Sequence, residues 1–536
     1  MLHEALIKLL SQPPMLVSGN GSAGLGLEDA LQQAISPKGA LPISQTVVRQ
    51  LSAAADAASG AKTASGSKGK LADLLELVQR DPILMVRLLA QVNRAFYQRG
   101  TAITSVGEAI KLLGTKRLLS VAGEVGTPRD LQLLAKGHLT YAAALHEHVV
   151  ATQFAEEIYA ALPEDAAALV TLDSIQVVVA LLSAPLLALA WVEPEIYAWM
   201  ALCSSSSDVQ FGANTTVVLD RRSLGTPVER VFGFSRPALT LGLVRAMRLP
   251  EEFQRILGMC SVQAIRVTAG SQTPEGRLTK LIAAVSFFAT ELAQEFERFS
   301  GRPPFESFIR ESQQRLTLPG GTVSPLLQKI QGDCIARQQR AGLPDLPFPD
   351  AGLFSRTAEG AAALVDLPLK VVSPLLFGSF IEELQKRVVD AKAQISAKSG
   401  APTRLALPVW LTLQALVRVL QFERAALLVV DFNKGDLRHV ASFGVPHEQI
   451  QKYCRSIQSE GKTGGPELRA LHERKAVWKG VPITPDGAHA CAFPIIQDSL
   501  VQGVFYAERV GGLRTAQIPL DLQMLVVALA ECWQDL

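Results

Sequence analysis

Histidine, cysteine and acidic side chains are the groups best able to hold a metal or attack a substrate. His146 and His148 flank Glu147, but His-Glu-His is not the HExxH pattern of zinc hydrolases. Residues two apart on a helix point to different faces, so this pair does not converge on one ion. His138 stands alone, and no histidine occurs between His148 and His439. A metal centre of imidazole and carboxylate ligands therefore lacks its ligand set, and these histidines are expected on the surface or in the core. Cys203, Cys260, Cys334, Cys454, Cys491 and Cys532 are scattered with no CxxC pair. That argues against a zinc–thiolate site or a disulfide framework and fits a reducing compartment. "GNGSAG" (Gly19–Gly24) has dinucleotide-binding spacing, but only Met15–Val17 precede it and no parallel-sheet pattern follows, so a flexible loop is expected. "GKT" (Gly461–Thr463) imitates the end of a phosphate-binding loop, with Ser456 where its first glycine belongs. No Ser/His/Asp or Cys/His constellation follows from spacing.

The elements that would have to position such groups are mostly helical. The 536 residues exceed what one core supports, about 250–300, so several domains are expected. A net charge of +2, with no run of Lys and Arg, gives no reason to expect a nucleic-acid partner, which usually needs a clustered basic face. Abundant Ala and Leu with few aromatics favour helix. The amino-terminal residues read as an amphipathic helix stopped by Pro13-Pro14 rather than a secretion signal. Residues 1–40 are expected to form this helix and a flexible Gly-rich segment, and residues 41–300 a helical domain with a flexible excursion at 52–70.

Within that domain "SIQVVVALLSAPLLALAWV" (Ser174–Val192) carries no charge over nineteen residues, close to the length of a bilayer span. Acidic flanks (Glu164, Asp165, Asp173, Glu193, Glu195) with no Lys or Arg nearby argue against a span. Pro185 is expected to break the stretch into a pair of core helices. Residues 301–373, rich in Pro and Gly, read as a connector with short helices such as Val323–Arg340. Residues 374–400 read as a linking helix, with Phe377, Ile381, Leu384, Val388, Ala391 and Ile395 at alternating steps of four and three. That seam suits either a neighbour in the same chain or a dimeric signalling helix.

Residues 401–536 change period. "RAALLVVDF", "NKGD" and "LRHVASFG" read as a hairpin, as do "AHACAFPIIQ", "DS" and "LVQGVFYAERV". Helices are expected at Leu407–Leu420, His447–Ile457 and Ile518–Trp533. The fold class expected is thus multidomain, an all-α domain followed by an α+β domain with an antiparallel sheet.

Leu77–Val121 resembles the HDOD family of bacterial signalling proteins, through Asp81-Pro82, Leu88-Leu89, Asn93, Phe96-Tyr97, Ala109-Ile110 and Leu113-Gly114. Asp81 suits a helix cap with Pro82 at the first position, and Gly114 a helix end before Lys116 and Arg117. Arg94 departs from the family's usual Ser. Val228–Phe253 resembles the family's later helix with its Leu-Pro element. The resemblance implies an HDOD-like scaffold for other signalling proteins, non-catalytic and cytoplasmic. The related HD-type hydrolases carry a His-Asp pair in the central helix, where this chain has "ALLSAPLLALA". The rival expectation is a degenerate HD-type metal-dependent phosphohydrolase acting on a nucleotide or phosphodiester.

"AFPIIQDSLVQGVFYAE", with Pro494 and Gly503, is similar to the hairpin of GAF domains. The cyclic-nucleotide signature of that family is missing, since the Asn-Lys of "FNKGD" (Phe432–Asp436) lies in a turn. The resemblance implies a GAF-like sensor for a small molecule or a dimerisation domain, and a homodimer through 374–400 or the GAF-like domain. Strand positions nominate Cys491, Phe493, Phe505 and Tyr506 for the pocket. Cys454 and Cys491 are expected as buried, inert thiols rather than tetrapyrrole or redox sites. No cofactor is expected.

Overall fold

Apolar residues at helical spacing dominate the amino-terminal part of the chain, and alternating ones its last quarter; the architecture follows that division. Apart from a few single residues, the computed structural model describes residues 23–35, 45–60, 67–96, 102–123, 139–205, 236–260, 273–297, 374–396, 404–444, 448–458, 465–478, 480–510 and 520–534. The helical part comprises α1 (Ala23–Ile35), α2 (Gln45–Gly60), α3 (Ser67–Gln79), α4 (Pro82–Phe96), α5 (Val106–Gly123), α6 (Leu139–Ala160), α7 (Glu164–Ala167), α8 (Leu172–Val192), α9 (Pro194–Ser205), α10 (Arg236–Ala246), α11 (Glu251–Gly258) and α12 (Pro274–Glu297). Then follow α13 (Pro374–Ser396) and α14 (Ala406–Gln414), which runs into a π-helical turn, Ala415–Val419. The sheet domain continues as β1 (Arg424–Asp431), β2 (Asp436–Gly444), α15 (Glu448–Gln451), β3 (Cys454–Ser456), α16 (Pro466–Glu473), β4 (Gly487–Gln497), β5 (Leu500–Val510) and α17 (Leu520–Glu531).

The uncharged stretch lies inside α8, around which the helical part is assembled. Thr171 caps it, its Oγ1 accepting from the Ser174 amide at 3.2 Å. Helices α1, α4, α6, α9, α10 and α12 all pack against it. By length and composition it is the one described helix able to cross a bilayer, and 89% of its apolar window is buried among its neighbours. Pro185 does not split it, contrary to expectation: α8 runs unbroken from Leu172 to Val192. An interior proline costs about 3 kcal/mol, and the burial of every side chain from Ile175 to Ala190 outweighs that.

Two segments expected to be flexible are partly helical. The excursion at 52–70 is instead the second half of α2 through Gly60 and the first turn of α3 from Ser67, with 61–66 outside the described residues. Its run of alanines is the reason, since Ala has the highest helix propensity. Likewise α1 begins at Ala23 and buries Leu31, Ala34 and Ile35. Most of the connector, Val323–Arg340 included, lies outside the described residues, although Lys329, Ile330, Asp333 and Cys334 are helical.

The linking helix forms as α13, and its seam is covered by its own chain. Of its residues Phe377, Leu384, Val388 and Ala391 are buried and Ile381 is partly buried, with Phe380 buried beside them, and α13 packs on α14 and the π-helical turn. The five strands form one antiparallel sheet in the order β3-β2-β1-β5-β4. Its side chains alternate between two cores, as a period of two requires. Leu427, Val429, Phe493 and Phe505 join the core shared with the helices, while Leu428, Val430, Val504 and Tyr506 form a second core on the opposite face.

The expected helix His447–Ile457 is corrected to the short α15 followed by strand β3. Leu437 and Arg455 pair across the β2–β3 edge, and the Tyr453 carbonyl accepts from the His439 amide at 3.0 Å, so sheet pairing takes residues 454–456 away from the helix. Helix α16 was not expected. It starts with Pro466 at its first position and ends at Arg474 in the left-handed region, φ 56°.

Candidate functional site

At the β3 edge of the sheet, on the side of its second core, lies a cavity of about 730 Å³. Three separate segments meet there: α15 with β3, the start of α16, and residues 481–483. Glu467 on α16 is its buried acidic group. Oε1 accepts from the Tyr453 hydroxyl at 2.8 Å and lies 3.5 Å from Nη1 of Arg455. Oε2 is buried with no hydrogen-bond donor. Burial raises the Glu467 carboxyl above the usual carboxylate range, and burial followed by the Glu467 charge raises the Tyr453 phenol. A side chain at position 465 would collide with this carboxyl, since a Cβ on Gly465 would lie 2.7 Å from Oε1 of Glu467. The glycine therefore makes the room that Glu467 occupies.

Behind the cavity lies a polar network. The Tyr506 hydroxyl accepts from the Ile483 amide at 2.8 Å and donates to Oε2 of Glu508 at 2.5 Å. Arg424 donates at 2.8 Å to Glu508, Asp486 and Thr484. Tyr506 and Glu508 thereby fix the 483–486 segment that forms one wall. Of the four residues nominated for a pocket, only Tyr506 faces this side. Cys491, Phe493 and Phe505 lie on the other face, where Phe493 stacks on Phe505 at 5.3 Å and Phe505 meets Trp533 at 5.0 Å. Burial pushes the Cys491 thiol up to about 12, leaving essentially no thiolate at neutral pH. Cys454, by contrast, is exposed on the edge strand rather than buried, with its thiol raised by burial and by Asp436.

In the helical part, Oδ1 of Asp81 accepts from the amides of Ile83 at 3.0 Å and Leu84 at 2.9 Å, capping α4 just before Pro82. Asn93 ties the end of α4 to the next segment: Nδ2 donates to the carbonyls of Leu89 (2.8 Å) and Ile103 (2.9 Å), and Oδ1 accepts from the Ile103 amide (3.0 Å). Gly114 breaks α5 with φ 71°, a conformation that glycine adopts without strain. Phe96 closes α4, its side chain outside the described residues. Asp173, in the first turn of α8, accepts from Ser105 Oγ at 2.5 Å and Gln79 Nε2 at 3.0 Å, pinning α3 and the start of α5 to the central helix. Arg87 is fully buried on α4 and donates to the carbonyls of Ala34 and Ile35, the open end of α1.

Residues 61–174 match the HDOD domain family. The cap at Asp81, the Asn93 bridge and the Gly114 break all lie within this HDOD domain. A search of curated proteins found no match. Among solved structures, the chain is similar to the MmoQ response regulator of Methylococcus capsulatus, with 20% identity, 54% of this chain and 97% of that one covered, and a TM-score of 0.35. It is also similar to the GAF domain of a phosphoenolpyruvate-protein phosphotransferase from Coxiella burnetii, at 15% identity, 28% and 89% coverage and TM-score 0.20. A third is free methionine-R-sulfoxide reductase of Neisseria meningitidis, at 11% identity, 32% and 94% coverage and TM-score 0.22. The HDOD match supports a signalling or regulatory role.

The two histidines of α6, His146 and His148, lie within the HDOD domain and are buried. The His148 ring lies 3.0 Å from Ser183 Oγ on α8 and 3.4 Å from Thr152 Oγ1, so it is an interhelical hydrogen-bonding residue. His138 lies outside the described residues. Among the described residues no three His, Cys, Asp or Glu side chains group as metal ligands. The residues that spacing did not single out are Glu467, Tyr453 and Arg455. Glu467 follows Pro466 at the start of an unexpected helix, and nothing local distinguishes it from any first-turn acid.

Proposed function

We propose that this chain is a non-catalytic cytoplasmic signalling protein. Its HDOD domain is a docking surface for other signalling proteins, and its carboxy-terminal sheet domain is a GAF-like sensor. The observation that carries the coupling is the contact of Glu195, on α9 of the helical part, with α14 at the entrance to the sheet domain. Its carboxyl oxygens accept from the amides of Ala406 at 2.6 Å and Leu407 at 2.9 Å. These are orphan donors of a helix start, so the helical part supplies the cap of the sheet domain's leading helix. Tyr197 packs edge-on against Trp410 at 6.3 Å beside it, and one apolar core runs through both parts. A ligand that prefers one arrangement of the sheet domain would shift α14, and through Glu195 the HDOD side, by its difference in affinity for the two arrangements. The non-catalytic reading is supported by α8, whose centre is filled by apolar side chains where HD-type hydrolases hold metal ligands.

The test uses the purified full chain in affinity capture from native lysate, beside Glu195→Gln. Signalling proteins are expected among those recovered, in amounts that change with the variant. Stoichiometric Mn, Fe or Mg in the purified protein, with hydrolysis of a nucleotide or phosphodiester, would overturn the reading.

A further inference from the structure

The cavity on the sheet carries two opposite charges within one small space. Glu467 is fully buried, and one of its oxygens is served by Tyr453 and Arg455 while the other, Oε2, lacks a donor. A buried carboxyl oxygen without a donor forfeits free energy that an incoming N–H group would recover. Rotation about the terminal torsion of a glutamate is broad and two-fold, so either oxygen can turn toward a ligand. Arg455 is half-exposed at 48% and carries five donors, more than its contact with Glu467 uses. It can therefore receive an anionic group at the mouth while the carboxyl waits deeper in. Beside this pair the wall is apolar: Val481 stands 74% exposed at the lip, with Pro482 and Ile483 next to it. The volume, about 730 Å³, lies in the range of small-molecule sites, about 300–1,000 Å³.

We propose that this cavity binds a small zwitterion with an apolar tail, an α-amino acid in chemical class. The ammonium pairs with Glu467, the carboxylate with Arg455, and the tail lies on Val481, Pro482 and Ile483. Tyr453 is a positioning residue that holds the Glu467 carboxyl. The assignment names the ligand class of the sensor proposed above and rests on that reading for its consequence, though not for its chemistry.

Isothermal titration of the full chain with a panel of the natural α-amino acids tests it. The best binder is then compared with its decarboxylated amine and its deaminated acid; for leucine these are isoamylamine and isocaproate. Both are expected to bind about ten-fold or more weakly, as the loss of one charge-assisted contact requires. Glu467→Gln and the surface change Arg455→Ala are each expected to weaken the amino acid by about ten-fold or more, with circular dichroism unchanged. Because Arg455 is partly exposed, its variant keeps the test valid even where Glu467→Gln folds poorly. Binding by no member of the panel, equal binding of the amine or the acid, or unaltered binding by Arg455→Ala would overturn the assignment. Amide exchange at Ala406 and Leu407, measured with and without ligand, separates the two readings. Binding that leaves that exchange unchanged supports the ligand class and overturns the relay.

Discussion

The guanidinium of Arg424 and the carboxylate of Glu508 meet at 2.8 Å with side chains 2% and 0% exposed, on neighbouring strands β1 and β5. Asp486 and Thr484 complete the shell. Removing one charge of such a pair strands the other in the core, whereas removing both does not. Arg424→Met is expected to destabilise the chain by about 3–5 kcal/mol. Adding Glu508→Gln is expected to restore part of the loss. Chemical denaturation checks this, and a double variant no more stable than the single one would refute the account.

Asn93 makes one residue answer for three buried backbone groups, two carbonyls and the Ile103 amide. Asn93→Ala is expected to cost about 2–4 kcal/mol, because each orphaned group carries its own desolvation penalty. Faster amide exchange at Ile103 than at neighbouring protected sites is the specific readout.

Burial raises the Glu195 carboxyl from 4.5 to about 7. Between those values the folded state binds more protons than the unfolded one, so stability falls as pH rises from about 4.5 to about 7 and levels off above. The offset corresponds to about 3 kcal/mol at most. Glu195→Gln is expected to abolish this slope, which a series of melting temperatures from about pH 5 to about pH 8 would show.

The neighbouring sheet has a group of opposite sign. Burial lowers His439 from 6.5 to about 4, and its Nε2 has no hydrogen-bond partner. Here the unfolded state binds more protons, so stability is full above about pH 6.5 and declines as pH falls toward about 4. His439→Gln is expected to flatten the acid side of the profile while leaving the Glu195 slope in place. Because the two contributions oppose each other, the wild-type profile alone hides both, and the single variants must be compared.

Gly503 sits in β5 between β1 and β4, where a Cβ would lie 2.7 Å from the carbonyl oxygen of Leu428. Gly503→Ala is expected to cost about 1–3 kcal/mol through overpacking, even though alanine suits a strand better than glycine elsewhere. A melting temperature at or above wild type would show that the strands can part without loss.

What could be read from the chain beforehand was what local chemistry decides. The Asp81-Pro82 cap, the Gly114 break and the two hairpins depend on neighbours within a few residues, and all four are present. Pro185 misled because packing around α8 outweighs a local proline penalty, and Ser52–Gly60 because a low-complexity run of alanine is also a helix former. Phe493 and Phe505 show a subtler limit. Alternation tells that a strand has two faces, but not which one meets the helices and which the cavity. Glu467, Tyr453 and Arg455 come from segments whose meeting is purely tertiary, so no spacing in the chain could have grouped them.

The Glu195 cap also has an order in time. Its amide partner on Ala406 lies 211 residues further along the chain, so at a synthesis rate of about 5–20 residues per second some ten to forty seconds pass before the two can meet. Throughout that interval the nascent helical part presents a carboxylate without its donors and an apolar face around Tyr197 without Trp410. The last quarter of the chain is thus the piece whose arrival closes the helical part, and a chain ending near residue 400 would lack both the donors of Glu195 and the ring that covers Tyr197.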